Sequence, residues 1–225
     1  MIERPSPNQD ARPHGGPIDI LVLHYTGMKT AEDALSRLCD PAARVSAHYT
    51  IDRDGTIYAH VPEERRAWHA GVSYWAGERD INARSIGIEL VNPGHEFGYQ
   101  PFPEEQMAAL IDLASGILAR HPIPPHRVLG HSDVAPARKS DPGELFSWAQ
   151  LADFGIGLWP HDGGMALGQS VESALAGFGY GVNDVPLEKV VTAFQRHYRP
   201  SRVDGIADAE TKRRLAALLA QLETV

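Results

Sequence analysis

The sequence predicts a mixed α/β fold, with a central mixed β-sheet flanked by helices and a small all-α domain of three helices at the C-terminal end. Apolar runs of strand length alternate with amphipathic helical stretches up to about residue 160, a pattern typical of a sheet with helices packed on its faces. Beyond this point a glycine-rich segment is followed by helical stretches alone. We therefore divide the chain into a flexible tail at 1–17, an α/β domain at 18–160, a linker at 161–169 and a helical domain at 170–225.

The strands are predicted from four segments. IDILVLHYT is a nearly continuous apolar run, which is typical of a buried central strand. SAHYTIDRDGTIYAHV contains two β-prone runs around Asp54 and Gly55, a strong signal for a hairpin. SIGIELVN predicts another interior strand, and RVLGH predicts a short final one.

The helices are predicted from their apolar faces and end signals. Thr30 can cap a helix over AEDALSRLCD, and Pro41 would end it. In FPEEQMAALIDLASGILARH the apolar residues fall on one helical face, and Pro103 with an acidic pair suits the first turn. The C-terminal helices are VESALAGFGY, PLEKVVTAFQRHY and ADAETKRRLAALLAQL. A module of roughly fifty residues is near the lower limit for independent folding.

Composition excludes several classes of function. The net charge of −8 lacks the excess of Lys and Arg that a broad nucleic-acid interface needs. No apolar run has the length of a membrane span, and MIERPSPNQDARPHGGP has no apolar signal region. We therefore expect a cytoplasmic protein, and a periplasmic location stays open if a signal has been removed. The single cysteine, Cys39, can form no intrachain disulfide and is interpreted as a buried small hydrophobe.

The chain has eleven histidines, and most of them lie in loops, in the tail or linker, or beside charged residues. We expect these to be solvated surface side chains: His14, His60, His95, His121, His126, His161 and His197. His24 differs because it ends the apolar strand ILVLH, and such a side chain points into the crevice where α/β sites form. The alternative for His24 is a core histidine bonded to the backbone.

His131 and Asp141 favour a metal site. Both lie in GHSDVAPARKSDPG, where a strand end gives way to a loop whose path is fixed by prolines. With His24 they supply two imidazoles and one carboxylate, which leave the fourth position of a catalytic zinc ion open for water. We therefore expect one catalytic Zn²⁺ bound by His24, His131 and Asp141. Asp133 is a rival ligand on the same loop.

Two charged residues are candidates for catalysis. Glu89 lies inside the apolar strand SIGIEL, where a carboxylate needs either a partner or a cleft. It is either paired with an arginine such as Arg84 or the general base for the zinc-activated water. Lys139 is either a plain surface lysine or the cation that stabilises the oxyanion of a tetrahedral intermediate.

Four blocks of the sequence resemble, in order and spacing, the N-acetylmuramoyl-L-alanine amidase type 2 family, whose relatives include peptidoglycan recognition proteins. The blocks are SAHYTIDRDGTIY, AWHAGVSYWAGERDIN, SIGIELVN and GHSDVAPARKSDPGELFSW, and the match spans the α/β domain. The resemblance implies a mixed sheet with a zinc ion in a surface groove. It implies His24, His131 and Asp141 as zinc ligands, Glu89 as the base and Lys139 as the transition-state cation.

The same resemblance implies four further residues that bind substrate in the groove: His48, Trp68, His69 and Asn82. His48 has an alternative role as an anchor that hydrogen-bonds strand backbone. The implied ligands are muropeptides or peptidoglycan fragments, and no protein partner is indicated.

The C-terminal segment FGYGVNDVPLEKVVTAFQRHYRPSRVDGIADAETKRRLAALL resembles the small three-helix peptidoglycan-binding domain. It departs from the usual pattern at Ala207, where a glycine is common, and it lacks the customary DGxFG stretch. We therefore expect the domain either to bind cell wall or only to brace the catalytic domain.

The hypothesis for function is zinc-dependent hydrolysis of the amide between (anhydro-)N-acetylmuramic acid and L-alanine of the stem peptide, in peptidoglycan recycling or turnover. A non-catalytic peptidoglycan recognition protein is a rival hypothesis, but it would lack a metal ligand, whereas every position here holds a competent residue. Two further hypotheses are an exported amidase that acts on the sacculus and a zinc peptidase that cuts bonds between amino acids. Only the family resemblance favours the amidase over the peptidase.

Overall fold

The computed structural model describes residues 1–13, 16–161 and 166–223, which form eight strands and nine α-helices. The strands are β1 (Ile2–Glu3), β2 (Gln9–Ala11), β3 (Ile20–Tyr25), β4 (Tyr49–Ile51), β5 (Ile57–Ala59), β6 (Arg65–Ala67), β7 (Ser85–Leu90) and β8 (Val128–Gly130). The helices are α1 (Ala31–Cys39), α2 (Ile81–Arg84), α3 (Gly94–Phe97), α4 (Glu104–Arg120), α5 (His131–Val134), α6 (Trp148–Asp153), α7 (Val171–Phe178), α8 (Leu187–Tyr198) and α9 (Ala209–Leu222). None of these helices is long and apolar enough to cross a membrane. His14 and part of the predicted linker lie outside the described residues.

Six strands form one mixed sheet in the order β1-β5-β4-β7-β3-β8. The neighbours β4, β7, β3 and β8 pair in parallel, whereas β4 and β5 form the predicted antiparallel hairpin. Gly55 adopts a φ of 84° at the turn of that hairpin, a conformation that glycine tolerates without steric cost. The predicted mixed sheet flanked by helices is confirmed.

Alternation along β3 divides the core between the two faces of the sheet. Leu21 and Leu23 are fully buried and pack with Ile86 and Ile88 of β7 in the cluster that α4 covers. Val22 belongs instead to the cluster on the opposite face. Both faces of β3 are therefore apolar up to His24, which is why its sequence is a nearly continuous apolar run.

The C-terminal helices α7, α8 and α9 cover the second face of the sheet. One continuous apolar cluster joins Val22 and Leu129 of the sheet to Leu175, Phe194 and Leu218 of these helices. Each of these side chains is no more than 1% exposed. Because each Å² of apolar surface removed from water contributes about 25 cal/mol, the larger domain relies on the smaller one to bury the apolar side chains of this face. These contacts are the ones expected if the C-terminal domain braces the catalytic domain, which is one of the two roles predicted for it.

A buried carboxylate ties the two domains together. Asp133 in α5 is fully buried and accepts hydrogen bonds from Tyr180 Oη at 2.6 Å and His197 Nδ1 at 2.7 Å, both in the C-terminal domain. It also accepts the backbone N–H of Gly130 at 2.7 Å. His197 in turn stacks on Trp148, with ring centroids 3.6 Å apart. Three donors satisfy this carboxylate, which is the condition for burying it.

The prediction of a flexible tail at 1–17 is wrong for residues 1–13. The β1 strand pairs in parallel with β5, and β2 pairs antiparallel with β6. Arg12 follows β2, and its guanidinium donates to the backbone carbonyls of Asn82 and Ser85. A polar, proline-rich composition is equally compatible with short edge strands, because their partners supply the backbone hydrogen bonds.

Two histidines that were expected at the surface are buried. His60 is 2% exposed; its Nδ1 lies 2.7 Å from the Arg4 carbonyl and its Nε2 lies 2.8 Å from Thr50 Oγ1. His197 is 1% exposed in the joint with Asp133. Their sequence neighbours are polar or charged, and the groups that bury and bond them come from other elements of the fold.

The joint at Asp133 leads to a prediction about stability. Tyr180→Phe removes one donor from a fully buried carboxylate, and we expect the free energy of unfolding to fall by about 1–3 kcal/mol. Tyr198→Phe is the matched control, because Tyr198 is equally buried but its hydroxyl has no hydrogen-bond partner within the described ranges. Urea unfolding followed by circular dichroism measures both variants. An equal loss of stability in the two would contradict the role given to Asp133.

Candidate active site

A groove of about 610 Å³ opens at the carboxyl ends of β3, β7 and β8. This edge is where ligands bind in open α/β sheets. The side chains of His131 and Asp141 line the groove, and both contact the buried His24. The structure thus brings together the three residues that the sequence nominated as metal ligands.

The donor atoms of these residues form a small triangle. His24 Nδ1 lies 2.9 Å from His131 Nδ1 and 3.1 Å from Asp141 Oδ2, and His131 Nδ1 lies 3.0 Å from the same oxygen. In a four-coordinate centre with bonds of about 2.1 Å, neighbouring donors would be about 3.4 Å apart, so the triangle has nearly the dimensions of a metal-ligand set. All three side chains are buried, and in the described part of the chain this is the one group of three or more such ligands.

The fold delivers these side chains from three places in the sequence. β8 pairs with β3 at Gly130 opposite Leu23, so the next residues, His131 and His24, emerge side by side. Asp141 is held near them because its carbonyl accepts the backbone N–H of Ser132 at 2.9 Å. The loop that carries Asp141 is therefore fastened to α5.

Burial sets the protonation states of the ligands. Burial lowers the pKa of His24 to about 4, and the neighbouring His131 adds to this effect. Burial alone would raise the pKa of Asp141, but His131 and His24 hold that pKa below its usual range. At neutral pH the site therefore offers a neutral His24 imidazole and an ionised Asp141 carboxylate, the forms that bind metal ions.

Glu89 lies on the same face of the sheet as the ligands, because β3 and β7 pair with His24 opposite Glu89. Its Oε2 is shielded from solvent and has no hydrogen-bond partner in the ranges that the structure describes. Burial raises the pKa of Glu89 well above its usual value; Asp141 adds to this effect and Lys139 opposes it.

A structural ion pair between Glu89 and Arg84 is not formed. Arg84 pairs with Asp19 and Glu78 instead. Lys139 also lines the groove and, among the described residues, takes part in no ion pair, so its charge remains available to a ligand.

Of the four residues expected to bind substrate, Trp68 and His69 line the groove, whereas His48 and Asn82 do not. His48 is fully buried, and its Nδ1 accepts the backbone N–H of Gly87 at 2.9 Å. It therefore has the second role considered for it, that of an anchor between strands. The expectation that His48 lines the groove was wrong because its side chain is fully buried and bonded to strand backbone.

Asn82 and Asp133 also have structural roles. Asn82 Oδ1 accepts the backbone N–H groups of His69 at 3.1 Å and Ala70 at 2.8 Å, so Asn82 shapes the groove wall from behind. The carboxylate of Asp133, the rival ligand, is occupied by its three donors and is not part of the ligand triangle.

Several groove residues were missed by the sequence analysis. Tyr25 lines the groove, and its hydroxyl lies 3.0 Å from Ser140 Oγ and 2.9 Å from His95 Nδ1. Arg138 also lines it and donates from Nη2 to the Val72 carbonyl at 2.7 Å. The sequence does contain a signal for two groove residues, because Tyr25 and Ser140 each directly adjoin a predicted ligand.

Three buried side chains that could hold a metal ion lie beside a carboxylate that has no hydrogen-bond partner among the described residues, at the floor of an open groove. This arrangement is typical of a single-metal hydrolase. The comparisons with known proteins agree with this class. The family model for N-acetylmuramoyl-L-alanine amidase matches residues 14–144, and a model for a peptidoglycan binding domain matches residues 169–215. The chain belongs to the N-acetylmuramoyl-L-alanine amidase family and is therefore an amide hydrolase.

Individual relatives are similar in sequence. The chain is 41% identical over 230 residues to the N-acetylmuramoyl-L-alanine amidase AmiD of Escherichia coli K12, which covers 90% of this chain and 82% of the relative. It is 38% identical to the 1,6-anhydro-N-acetylmuramyl-L-alanine amidase AmpD of Citrobacter freundii, over 65% of this chain and 86% of the relative.

Solved structures are similar over both domains. The complex of E. coli AmiD with anhydro-N-acetylmuramic acid-L-Ala-D-gamma-Glu-L-Lys has a TM-score of 0.82 at 38% identity and covers 94% of this chain and 92% of AmiD. AmpDh3 of Pseudomonas aeruginosa in complex with anhydromuramic pentapeptide has a TM-score of 0.84 at 35% identity, with 93% and 94% covered.

The buried carboxylate of Glu89 leads to a prediction about pH and stability in the metal-free protein. The folded-state pKa is raised above the unfolded one, so protonated Glu89 contributes stability below about pH 4 that is lost as the pH rises through the folded-state pKa. Glu89→Gln cannot ionise. We therefore expect Glu89→Gln to be more stable than the wild type at pH 7.

Urea unfolding of chelator-treated protein between pH 4 and 8 measures this difference. The gap between Glu89→Gln and the wild type should widen as the pH rises. The exposed Glu64→Gln is the control and should follow the wild type throughout. A gap that is constant with pH would show that the ionisation of Glu89 does not oppose folding.

Proposed function

We propose that this amidase is a zinc enzyme that acts on anhydro-muropeptides, in peptidoglycan recycling or turnover. It would release the intact stem peptide by hydrolysing the amide between 1,6-anhydro-N-acetylmuramic acid and L-alanine. The observation that carries this proposal is the triangle of His24, His131 and Asp141 beside the unpaired carboxylate of Glu89. A recognition protein without catalysis would need neither that ligand set nor a general base.

Zinc fits the donor set better than other common divalent ions do. Two imidazole nitrogens and one carboxylate oxygen are the ligands of catalytic zinc sites, whereas Mg²⁺ and Ca²⁺ prefer sets made of oxygen alone. A set of three protein ligands would leave one coordination position of zinc for water, as a catalytic site requires. We therefore assign His24 Nδ1, His131 Nδ1 and Asp141 Oδ2 as the zinc ligands.

Zinc bound at this site supplies Lewis acidity and lowers the pKa of water to about 7. Glu89 acts as the general base, because its carboxylate lines the groove and can accept a proton from the attacking water. The protonated carboxyl then returns this proton to the leaving nitrogen of L-alanine. The ammonium group of Lys139 stabilises the negative charge that develops on the oxygen of the scissile carbonyl.

The substrate class follows from the groove and the relatives. A volume of about 610 Å³ falls in the range of roughly 300–1,000 Å³ that is usual for sites that bind small ligands, which suits a short glycopeptide. The similar protein from C. freundii is named for the 1,6-anhydro sugar, and the similar structures of AmiD and AmpDh3 hold anhydromuramyl peptides. We infer the same sugar for this chain.

Mass spectrometry of purified muropeptides tests the proposal. Matched 1,6-anhydro and reducing muropeptides are incubated with the protein, with chelator, and with chelator followed by added zinc. We expect an intact stem peptide to be released from the anhydro substrate, with the release lost in chelator and restored by zinc. This result would support the reaction, the metal and the sugar that we propose. Cleavage of the reducing form alone would contradict the sugar assignment, and no cleavage of either form with zinc present would leave binding without catalysis.

Glu89→Gln should separate metal binding from turnover. The variant keeps the shape of the side chain but loses the base, so we expect kcat/KM to fall by about 10²- to 10⁴-fold. Zinc content, measured by atomic emission, should stay at one ion per chain because Glu89 is outside the ligand triangle. The exposed Glu64→Gln serves again as the control. Full activity in Glu89→Gln would show that another group takes the proton.

A further inference from the structure

We infer that the dipeptide His69–Ala70 is the positioning element for both histidine ligands, with the His69 side chain orienting His24 and the Ala70 carbonyl orienting His131. The inference rests on the zinc assignment proposed for this site. His69 therefore has two roles. It forms part of the groove wall, and it positions the zinc ligand His24 through a hydrogen bond.

The orientation of His24 follows from a chain of hydrogen bonds in which every donor is determined. Ser85 Oγ lies 2.7 Å from the Ile81 carbonyl, which can only accept, so the hydroxyl proton points there. Ser85 Oγ then accepts from His69 Nε2 at 3.1 Å. With its proton on Nε2, neutral His69 presents a lone pair at Nδ1, which accepts from His24 Nε2 at 3.1 Å.

The consequence for His24 is a fixed tautomer. Its Nε2 carries the proton, so its Nδ1 carries the lone pair, and Nδ1 is the atom that faces His131 Nδ1 and Asp141 Oδ2. Ligating histidines usually donate their second N–H to a carboxylate or a carbonyl. A neutral imidazole in that role adds no negative charge to a site that already contains Asp141 and Glu89.

The second ligand is oriented by the next residue in the chain. The Ala70 carbonyl, which can only accept, lies 3.0 Å from His131 Nε2, nearer than Arg138 Nη2 at 3.4 Å, so this geometry places the proton of His131 on that nitrogen. The guanidinium of Arg138 also donates to this carbonyl. His131 therefore presents Nδ1 to the triangle for the same reason as His24 does.

Two features hold the dipeptide in place. Asn82 Oδ1 accepts both of its backbone N–H groups, from His69 at 3.1 Å and from Ala70 at 2.8 Å, and Asn82 is only 6% exposed. The ring of His69 lies directly on Gly87 of β7, where an added Cβ would stand only 2.5 Å from His69 Cγ. A ring seated on sheet backbone is well suited to the precise support that a metal ligand needs.

The test compares two replacements of His69. His69→Asn keeps an acceptor, because Asn Oδ1 is attached to the same side-chain carbon as His Nδ1, whereas His69→Leu is of similar size and has no acceptor. The measurement is the zinc Kd, obtained by competition with a chromophoric chelator. Loss of an outer partner of a ligand typically costs 10- to 100-fold in metal affinity, so we expect a weakening of about that size for His69→Leu. His69→Asn should remain within a few-fold of the wild type.

An unchanged zinc Kd in His69→Leu, or an equal loss in both variants, would overturn the inference. Circular dichroism of the metal-free variants checks folding. Should His69→Leu not fold, Ser85→Ala is the deciding variant. It leaves His69 in place but removes the hydroxyl that accepts from His69 Nε2, so we expect weaker zinc binding. An unchanged zinc Kd in Ser85→Ala would overturn the inference. A wild type that binds no zinc would instead refute the proposed function, so the two failures are distinguishable.

Discussion

The hydrogen-bonded register between β3 and β7 places His24 opposite Glu89, and the geometry of the site depends on it. Side chains alternate between the faces of a strand, so a slip of one residue would turn one of the two into the apolar layer beneath α4. The register is specified by the apolar residues on that layer, such as Leu23 and Ile88, which gain burial only when both strands present the correct face. The core thus fixes the distance between His24, the proposed ligand, and Glu89, the proposed base, which make no hydrogen bond to each other.

Above that register, the polar face of the sheet carries a row of histidines. The rings of His48, His69, His24 and His131 follow one another, with centroids 5.8, 5.1 and 4.5 Å apart. Burial lowers the pKa of His48 to about 3 and that of His24 to about 4, and it lowers the pKa of His69 well below its usual value. A neutral imidazole can donate at one nitrogen and accept at the other, which is how His69 Nδ1 accepts from His24 Nε2 without adding charge to the site.

The sequence predicted the parts of this molecule whose signal is local. The β3 strand, the β4–β5 hairpin and α4 follow from apolar periodicity and turn residues, and the cluster around His24 follows from a polar residue at the end of an apolar strand. What it could not supply were partners distant in the chain. His197 is bonded to a carboxylate 64 positions away, and Asn82 bonds a backbone group 13 positions before it. His197 stands in a pattern that does not differ from that of a surface polar residue, so its burial could not be predicted, and the contacts of Asn82 behind the groove wall were likewise visible only in the fold.

The packing of the C-terminal helices on the sheet also affects how this enzyme would bind a polymeric substrate. A binding module on a flexible tether lets its catalytic partner search a volume set by the length of the linker. Here a shared apolar cluster and the buried bonds to Asp133 join module and groove into one body. If the module binds a glycan strand, only the stem peptides at one fixed distance along that strand would reach the groove. Small soluble fragments would not be subject to this restriction.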